Sequence, residues 1–125
     1  YVGALNNSGI RVSLFIEPDL VQVDGAKALG VPVIELHTGA YCEATGSLRE
    51  HELARIVTAA AHAHDIGLEC HAGHGLTFEN VEDVAAIQTI AELNIGHFLV
   101  GEAIFIGLEE SIRSMRKLMD QVRPA

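Results

Sequence analysis

Val33-Ile-Glu-Leu-His-Thr-Gly39 is the stretch that decides the fold. Three aliphatic residues and two polar ones alternate over five positions, entered through Gly30 and Pro32 and left through a Thr-Gly turn. A run this short, apolar and bounded by breakers reads as a strand of a covered sheet rather than a helix. Outward from it the same unit repeats. Strands are predicted at about 11–16, 33–37, 68–72 and 95–100, each followed by a helical pattern. The first helix runs from about Asp19 to Leu29, with Gly30 just past its end. The second starts at Ser47-Leu-Arg-Glu50, which has the form of a capping box, and ends at about Asp65 before Gly67. Its apolar face is Leu53, Ile56, Val57 and Ala60. A third opens at Thr77 or Asn80 and carries Val81, Val84, Ala85 and Ile87. The last spans about Leu108 to Val122, with Ile112, Met115, Leu118 and Met119 as its stripe.

Four βα units in succession define an α/β chain with a parallel sheet covered by helices. An open doubly wound sheet and half of a (β/α)8 TIM barrel both fit. Gly73-His-Gly75 lacks the third glycine of a dinucleotide fingerprint, which weakens the first. Residues 1–125 are accordingly expected to be one domain, the last four βα units of a barrel. Tyr1 to Gly9 reads as the end of a helix already under way, so an upstream segment is expected.

Apolar residues make up 49% of the chain, which excludes a disordered polypeptide. No run approaches the roughly 18 apolar residues of a membrane-spanning helix. A net charge of −9 argues against nucleic acid or an anionic membrane as partner. The eight cations are expected on helices, helix caps or a strand start, away from the strand-end loops. Cys42 and Cys70 are too few for a disulfide framework and read as small apolar residues.

The informative feature is the polar residues where the strands end. Glu35, His37, Thr38 and Gly39 close the second strand, His71, Gly73, His74 and Gly75 the third, and Gly96 with His97 belongs to the fourth. In parallel α/β folds the active site lies at the carboxyl ends of the strands, so these groups converge on one mouth. Glu35 and His37 share strand parity, and His37 is the expected partner of the Glu35 carboxylate. A carboxylate in an apolar strand is costly unless paired, which makes Glu35 a candidate with a function. His74, in the glycine turn, is the second such candidate. His51, His62 and His64 on the long helix read as structural, and His71 is open to either reading. Gly73, Gly75, Gly96 and Gly101 could let a phosphate approach backbone N–H groups, or could serve tight turns; spacing alone leaves both open. A metal site built from Glu35, His37, His71, His74 and His97, as in a metal-dependent barrel hydrolase, is the rival chemistry. The first strand ends in no His-x-His pair and no aspartate sits at the last mouth, which counts against it.

Ser13-Leu-Phe-Ile16, Ile34-Glu-Leu-His-Thr-Gly39, Glu52-Leu-Ala-Arg-Ile56, Ala72-Gly-His-Gly-Leu-Thr77 and Leu93-Asn-Ile-Gly-His97 together resemble the second half of pyridoxine 5′-phosphate synthases. The resemblance implies a cytoplasmic, homo-oligomeric barrel enzyme without metal or organic cofactor. It would join 3-amino-2-oxopropyl phosphate to 1-deoxy-D-xylulose 5-phosphate, giving pyridoxine 5′-phosphate, inorganic phosphate and water. It implies His74 as proton donor, Glu35 as transition-state stabiliser, and Gly75, Gly96 and His97 as the aminoketone phosphate site; His37, Thr38 and His71 are candidate supporting residues beside them. The family's general bases and phosphate-clamping arginines lie on its first four strands. This chain alone is therefore expected to be incomplete for catalysis. It is also expected to expose an apolar interior and two open sheet edges; a non-catalytic half-barrel assembly module is the remaining alternative.

Overall fold

The computed structural model describes residues 1–123. Four strands, β1 (Ser13–Ile16), β2 (Val33–His37), β3 (Glu69–Gly73) and β4 (Ile90–Asn94), form one parallel sheet in the order β1-β2-β3-β4. The order never reverses, so the sheet has no switch point of the doubly wound kind. Seven helices accompany it among the described residues: α1 (Val2–Asn7), α2 (Leu20–Ala28), α3 (Gly39–Glu43), α4 (Gly46–Asp65), α5 (Val81–Ala85), α6 (His97–Ile106) and α7 (Leu108–Val122).

The core lies between the sheet and the helices on one face. Ile34 and Leu36 of β2, Cys70 and Ala72 of β3, and Ile90 of β4 meet Val23, Ala26, Ile56, Ala59, Ala60 and Ala63 there. The α4 alanines let that helix lie close on the strands. Removing the fully buried Leu36 side chain would cost about 2–5 kcal/mol. Residues of opposite parity form the other, concave face, and it is polar. Ser13, Glu35, His37, Glu69, His71, Glu92 and Asn94 share it with Phe15 and Val33. The expected apolar interior is thus only partly present: the sheet face is mainly polar, with Phe15 exposed on it, while Leu76, Ile95 and Phe98 give the strand-end cleft apolar walls.

Several boundaries correct the sequence reading. The predicted strand at 95–100 is not one: β4 is Ile90–Asn94, and His97 to Val100 lie in α6. The third strand begins and ends one residue later than 68–72. The capping box at Ser47 does not form; the cap position is Thr45, which makes no side-chain bond, and the helix starts at Gly46. On α4 the buried stripe is Ile56, Ala59, Ala60 and Ala63, while Val57 is exposed. Ile87 falls beyond α5, and Ile112 of α7 faces solvent beside buried Met115. The limits of α2 and α7 agree with expectation to within a residue. Asp19 caps α2 through its carboxylate, which accepts from the N–H groups of Val21 and Gln22.

Candidate active site at the strand ends

The carboxyl ends of the strands enclose a cleft of about 700 Å³. Glu35, His74, Gly75, Gly96 and His97, which the sequence singles out from three separate segments, all line it, together with Phe15, Asn94 and Phe98. The supporting candidates lie elsewhere: His37 beside the cleft, Thr38 beneath its rim, and His71 deeper on the concave face.

Glu35 stands on the floor, half-buried. Its partner is not His37 but Asn94, whose side-chain amide donates to Oε2 at 2.9 Å. The pair spans an intervening strand, since Gly73 of β3 lies in register between His37 and Asn94. Gly73 makes the span possible. A Cβ there would sit 2.5 Å from Glu35 Oε1 and 2.7 Å from the Asn94 carbonyl oxygen. Residues two apart on a strand share a face, which made Glu35 and His37 a plausible pair, but the Glu35 side chain turns to Asn94 instead.

His37 instead accepts a hydrogen bond at Nδ1 from the Gly39 N–H (3.3 Å), and Glu17 Oε1 lies 3.6 Å from the same nitrogen. Its ring stacks on that of His74 at 4.6 Å between centroids, 25° from parallel. Phe15 closes the group, 5.1 Å from His37 and 6.3 Å from His74. His37 thus acts as a wall against which the His74 ring rests.

His74 is the described non-glycine residue with a left-handed backbone, at φ +80°, and Gly75 follows at +85°. Such a conformation is unfavourable for an L side chain by about 1–2 kcal/mol, so the loop around it must be held firmly. It is. The Thr38 hydroxyl lies 2.8 Å from the Gly73 oxygen and 2.6 Å from that of His74. Buried Asn80 accepts from the Thr77 N–H at 2.7 Å and donates to the Gly75 oxygen at 3.4 Å. Tyr41 braces Asn80 through its carbonyl, and Arg49 donates to the Tyr41 hydroxyl. Burial pushes the Tyr41 hydroxyl pKa upward, which keeps it protonated.

Gly96 is the N-cap of α6 and His97 its first residue, and both line the cleft, so the free first N–H groups of the helix lie at its edge. His71 has a different setting. Its Nε2 lies 2.7 Å from Glu69 and its Nδ1 3.6 Å from Glu92, and Arg11 pairs with Glu69 at 2.6 Å. These contacts tie the segment leading into β1 to β3 and β4 below the cleft. Arg11, then His71, draw the Glu69 carboxyl pKa down to about 2.

Cations stay out of the cleft, but two reach strand-end loops, against expectation. Arg49 donates to the Glu79 carbonyl at 3.5 Å, and Arg55 lies 4.0 Å from Glu17. Burial raises the pKa of Cys42, and that of Cys70 to about 12, so neither thiol is poised as a nucleophile. Among the described residues no group of three or more His, Cys, Asp or Glu side chains converges as metal ligands would, and the hydrolase alternative gains no geometric support. Nor is any helix among them long and apolar enough to cross a membrane. Asn94, Phe15 and Phe98 are cleft residues that the sequence reading missed. Misplacing the fourth strand hid Asn94, and Phe15 drew no notice as one apolar residue of the first strand.

The family model described as pyridoxal phosphate biosynthesis protein PdxJ matches residues 1–121. Pyridoxine 5′-phosphate synthase of Rhodospirillum rubrum is 64% identical over 120 residues, covering 95% of this chain and 48% of that protein. The synthase of Zymomonas mobilis is 61% identical over 122 residues, 98% of this chain and 48% of its own length. That of a Jannaschia species is 50% identical over 127 residues, 98% and 51%. The chain spans about half the length of the curated relatives it matches.

Proposed function

The chain belongs to the PdxJ family of pyridoxal phosphate biosynthesis proteins, and from that premise we propose that it supplies half of a pyridoxine 5′-phosphate synthase site. In this reading the four-stranded sheet is the C-terminal half of a (β/α)8 barrel, and residues 1–125 form one domain with the strands that complete it. The complete protein condenses 3-amino-2-oxopropyl phosphate with 1-deoxy-D-xylulose 5-phosphate to pyridoxine 5′-phosphate, inorganic phosphate and water. It works in the cytoplasm as a homo-oligomer.

The observation that carries this reading is the meeting of Glu35, His74, Gly75, Gly96 and His97 in one cleft. The reaction forms an imine, loses water and phosphate, and closes a ring, so protons must move repeatedly. His74, at the rim, can give a proton to a leaving oxygen, and an imidazole is the side chain suited to this near neutrality. Glu35, fixed by Asn94, faces the same space with a carboxylate able to stabilise a cationic imine. The Gly75 N–H and the start of α6 at Gly96 and His97 offer backbone donors to the aminoketone phosphate. His37 holds the His74 ring by stacking, and His71 stiffens the sheet below.

The test is His74→Asn in the complete protein. Asn accepts a left-handed backbone better than most residues, so the loop keeps its shape while the proton donor is lost. Product formation should disappear, while inorganic phosphate still binds. Unchanged turnover would refute the assignment.

A further inference from the structure

Thr38 is fully buried, yet its hydroxyl approaches two carbonyl oxygens. They are not equivalent. The Gly73 oxygen already accepts the Thr38 main-chain N–H at 2.9 Å. Among the described residues the His74 oxygen has, besides the hydroxyl at 2.6 Å, only the weak thiol donor of Cys42 at 3.7 Å. The hydroxyl proton therefore matters most to His74. In a trans peptide the C=O and N–H point in opposite directions. With the His74 carbonyl drawn down onto Thr38, the Gly75 N–H faces away from the scaffold, on the side of the cleft that Gly75 lines. No acceptor for it exists among the described residues. The same anchor holds the strained His74 backbone at φ +80°, next to Gly75 at +85°, where glycine carries no penalty.

We propose that the Thr38 hydroxyl is a positioning group for the reaction: by holding the His74–Gly75 peptide it sets the His74 ring at the rim and aims the Gly75 N–H at a substrate phosphate oxygen. Thr38 touches no substrate itself. The inference rests on the synthase reading for its kinetic consequence, but the orientation of the Gly75 N–H can be read without it.

Two variants of the complete protein test it. Thr38→Val keeps the shape and removes the donor; Thr38→Ser keeps the donor and removes a methyl group. Thr38→Val should lower kcat/KM by roughly tenfold to a hundredfold, the scale of a small misplacement of reacting groups. Both a lower kcat and a higher KM for the phosphorylated aminoketone should contribute, and Thr38→Ser should restore most of the loss. Independently, titration with inorganic phosphate should shift the Gly75 amide resonance in the wild-type protein and in Thr38→Ser, and shift it much less in Thr38→Val. A role limited to stability would lower the melting temperature of Thr38→Val and leave the kinetics and the amide response of the folded protein as in wild type; that result overturns the proposal. So does a Thr38→Ser variant as impaired as Thr38→Val. Should Thr38→Val not fold, Thr38→Ser decides alone, because near-wild-type kinetics and amide response are then required of it. If the wild-type protein makes no pyridoxine phosphate, the synthase reading fails, while the amide titration still judges Thr38.

Discussion

His74 carries its imidazole on a left-handed backbone, and that conflict has a measurable size. Replacing it by Ala and by Gly in the complete protein separates backbone strain from the ring. Both variants lose the stack on His37, and His74 is itself exposed, so the ring's contribution cancels in the comparison. What differs is the backbone. At φ +80° Ala carries the steric penalty of about 1–2 kcal/mol, and Gly carries none. Opposing this, Gly gives the unfolded chain extra freedom, which disfavours folding by about 0.4–1 kcal/mol. The balance favours His74→Gly over His74→Ala by about 1 kcal/mol, a factor of roughly five in the folding equilibrium. Urea titration at constant slope reads this as a higher midpoint for Gly. Asn, tolerant of the same region, should fall between them. None of the three should turn over substrate. An Ala variant as stable as the Gly variant would show that the loop relaxes out of the left-handed region, and the argument that His74 is held under strain would fail.

Two further outcomes follow from the same geometry. Gly73→Ala places a methyl group 2.5 Å from Glu35 Oε1 and 2.7 Å from a backbone oxygen that cannot swing aside. It should cost about 1–3 kcal/mol, measured by denaturant midpoint, and should slow turnover by displacing Glu35; wild-type stability and rate would contradict the span from Glu35 to Asn94. Acid should dissolve the tie among Arg11, Glu69 and His71. The Glu69 pKa in the folded protein, about 2, lies below its ordinary 4.5, so its contribution is complete above about pH 4.5 and is lost as pH falls toward 2. Stability measured across that window should fall more steeply in the wild-type protein than in Glu69→Gln, and equal slopes would show that the tie contributes nothing.

What the sequence disclosed followed periodicity and punctuation. Val33–His37 was legible because aliphatic residues recur at strand spacing between Pro32 and a Thr-Gly turn. Leu108–Val122 was legible because its apolar residues recur at helical spacing. Ile95 to Val100 misled for the converse reason. Phe98-Leu-Val100 is as apolar as any strand, and α6 is apolar nearly all round, so no amphipathic pattern betrays a helix. The true strand, Ile90-Ala-Glu-Leu-Asn94, contains good helix formers and lies at an edge, with a register shift against β3. The candidate site emerged because polar residues at strand ends stand out against apolar runs. Its partners did not. Glu35 reaches Asn94 across Gly73, and that needs the register of three strands, which no single segment encodes.

The polarity of the concave face bears on what the chain can do by itself. The cleft holds one carboxylate, Glu35, and no Arg or Lys lines it. Glu17 stands nearby, beside His37, and Glu69 and Glu92 stand below, answered by Arg11 and His71. Two phosphorylated substrates would bring several negative charges into this setting. Neutral backbone donors at Gly75 and the start of α6 can orient a phosphate, but they do not offset carboxylates in the same field. The counter-charge must come from groups outside the residues described. Under the proposed synthase reading the division of labour would be chemical as well as topological: this half would orient the phosphate and move the proton, and the completing strands would make anion binding favourable. That is why a sheet with a cleft already shaped at its strand ends is still not, on electrostatic grounds, a complete site for phosphate esters.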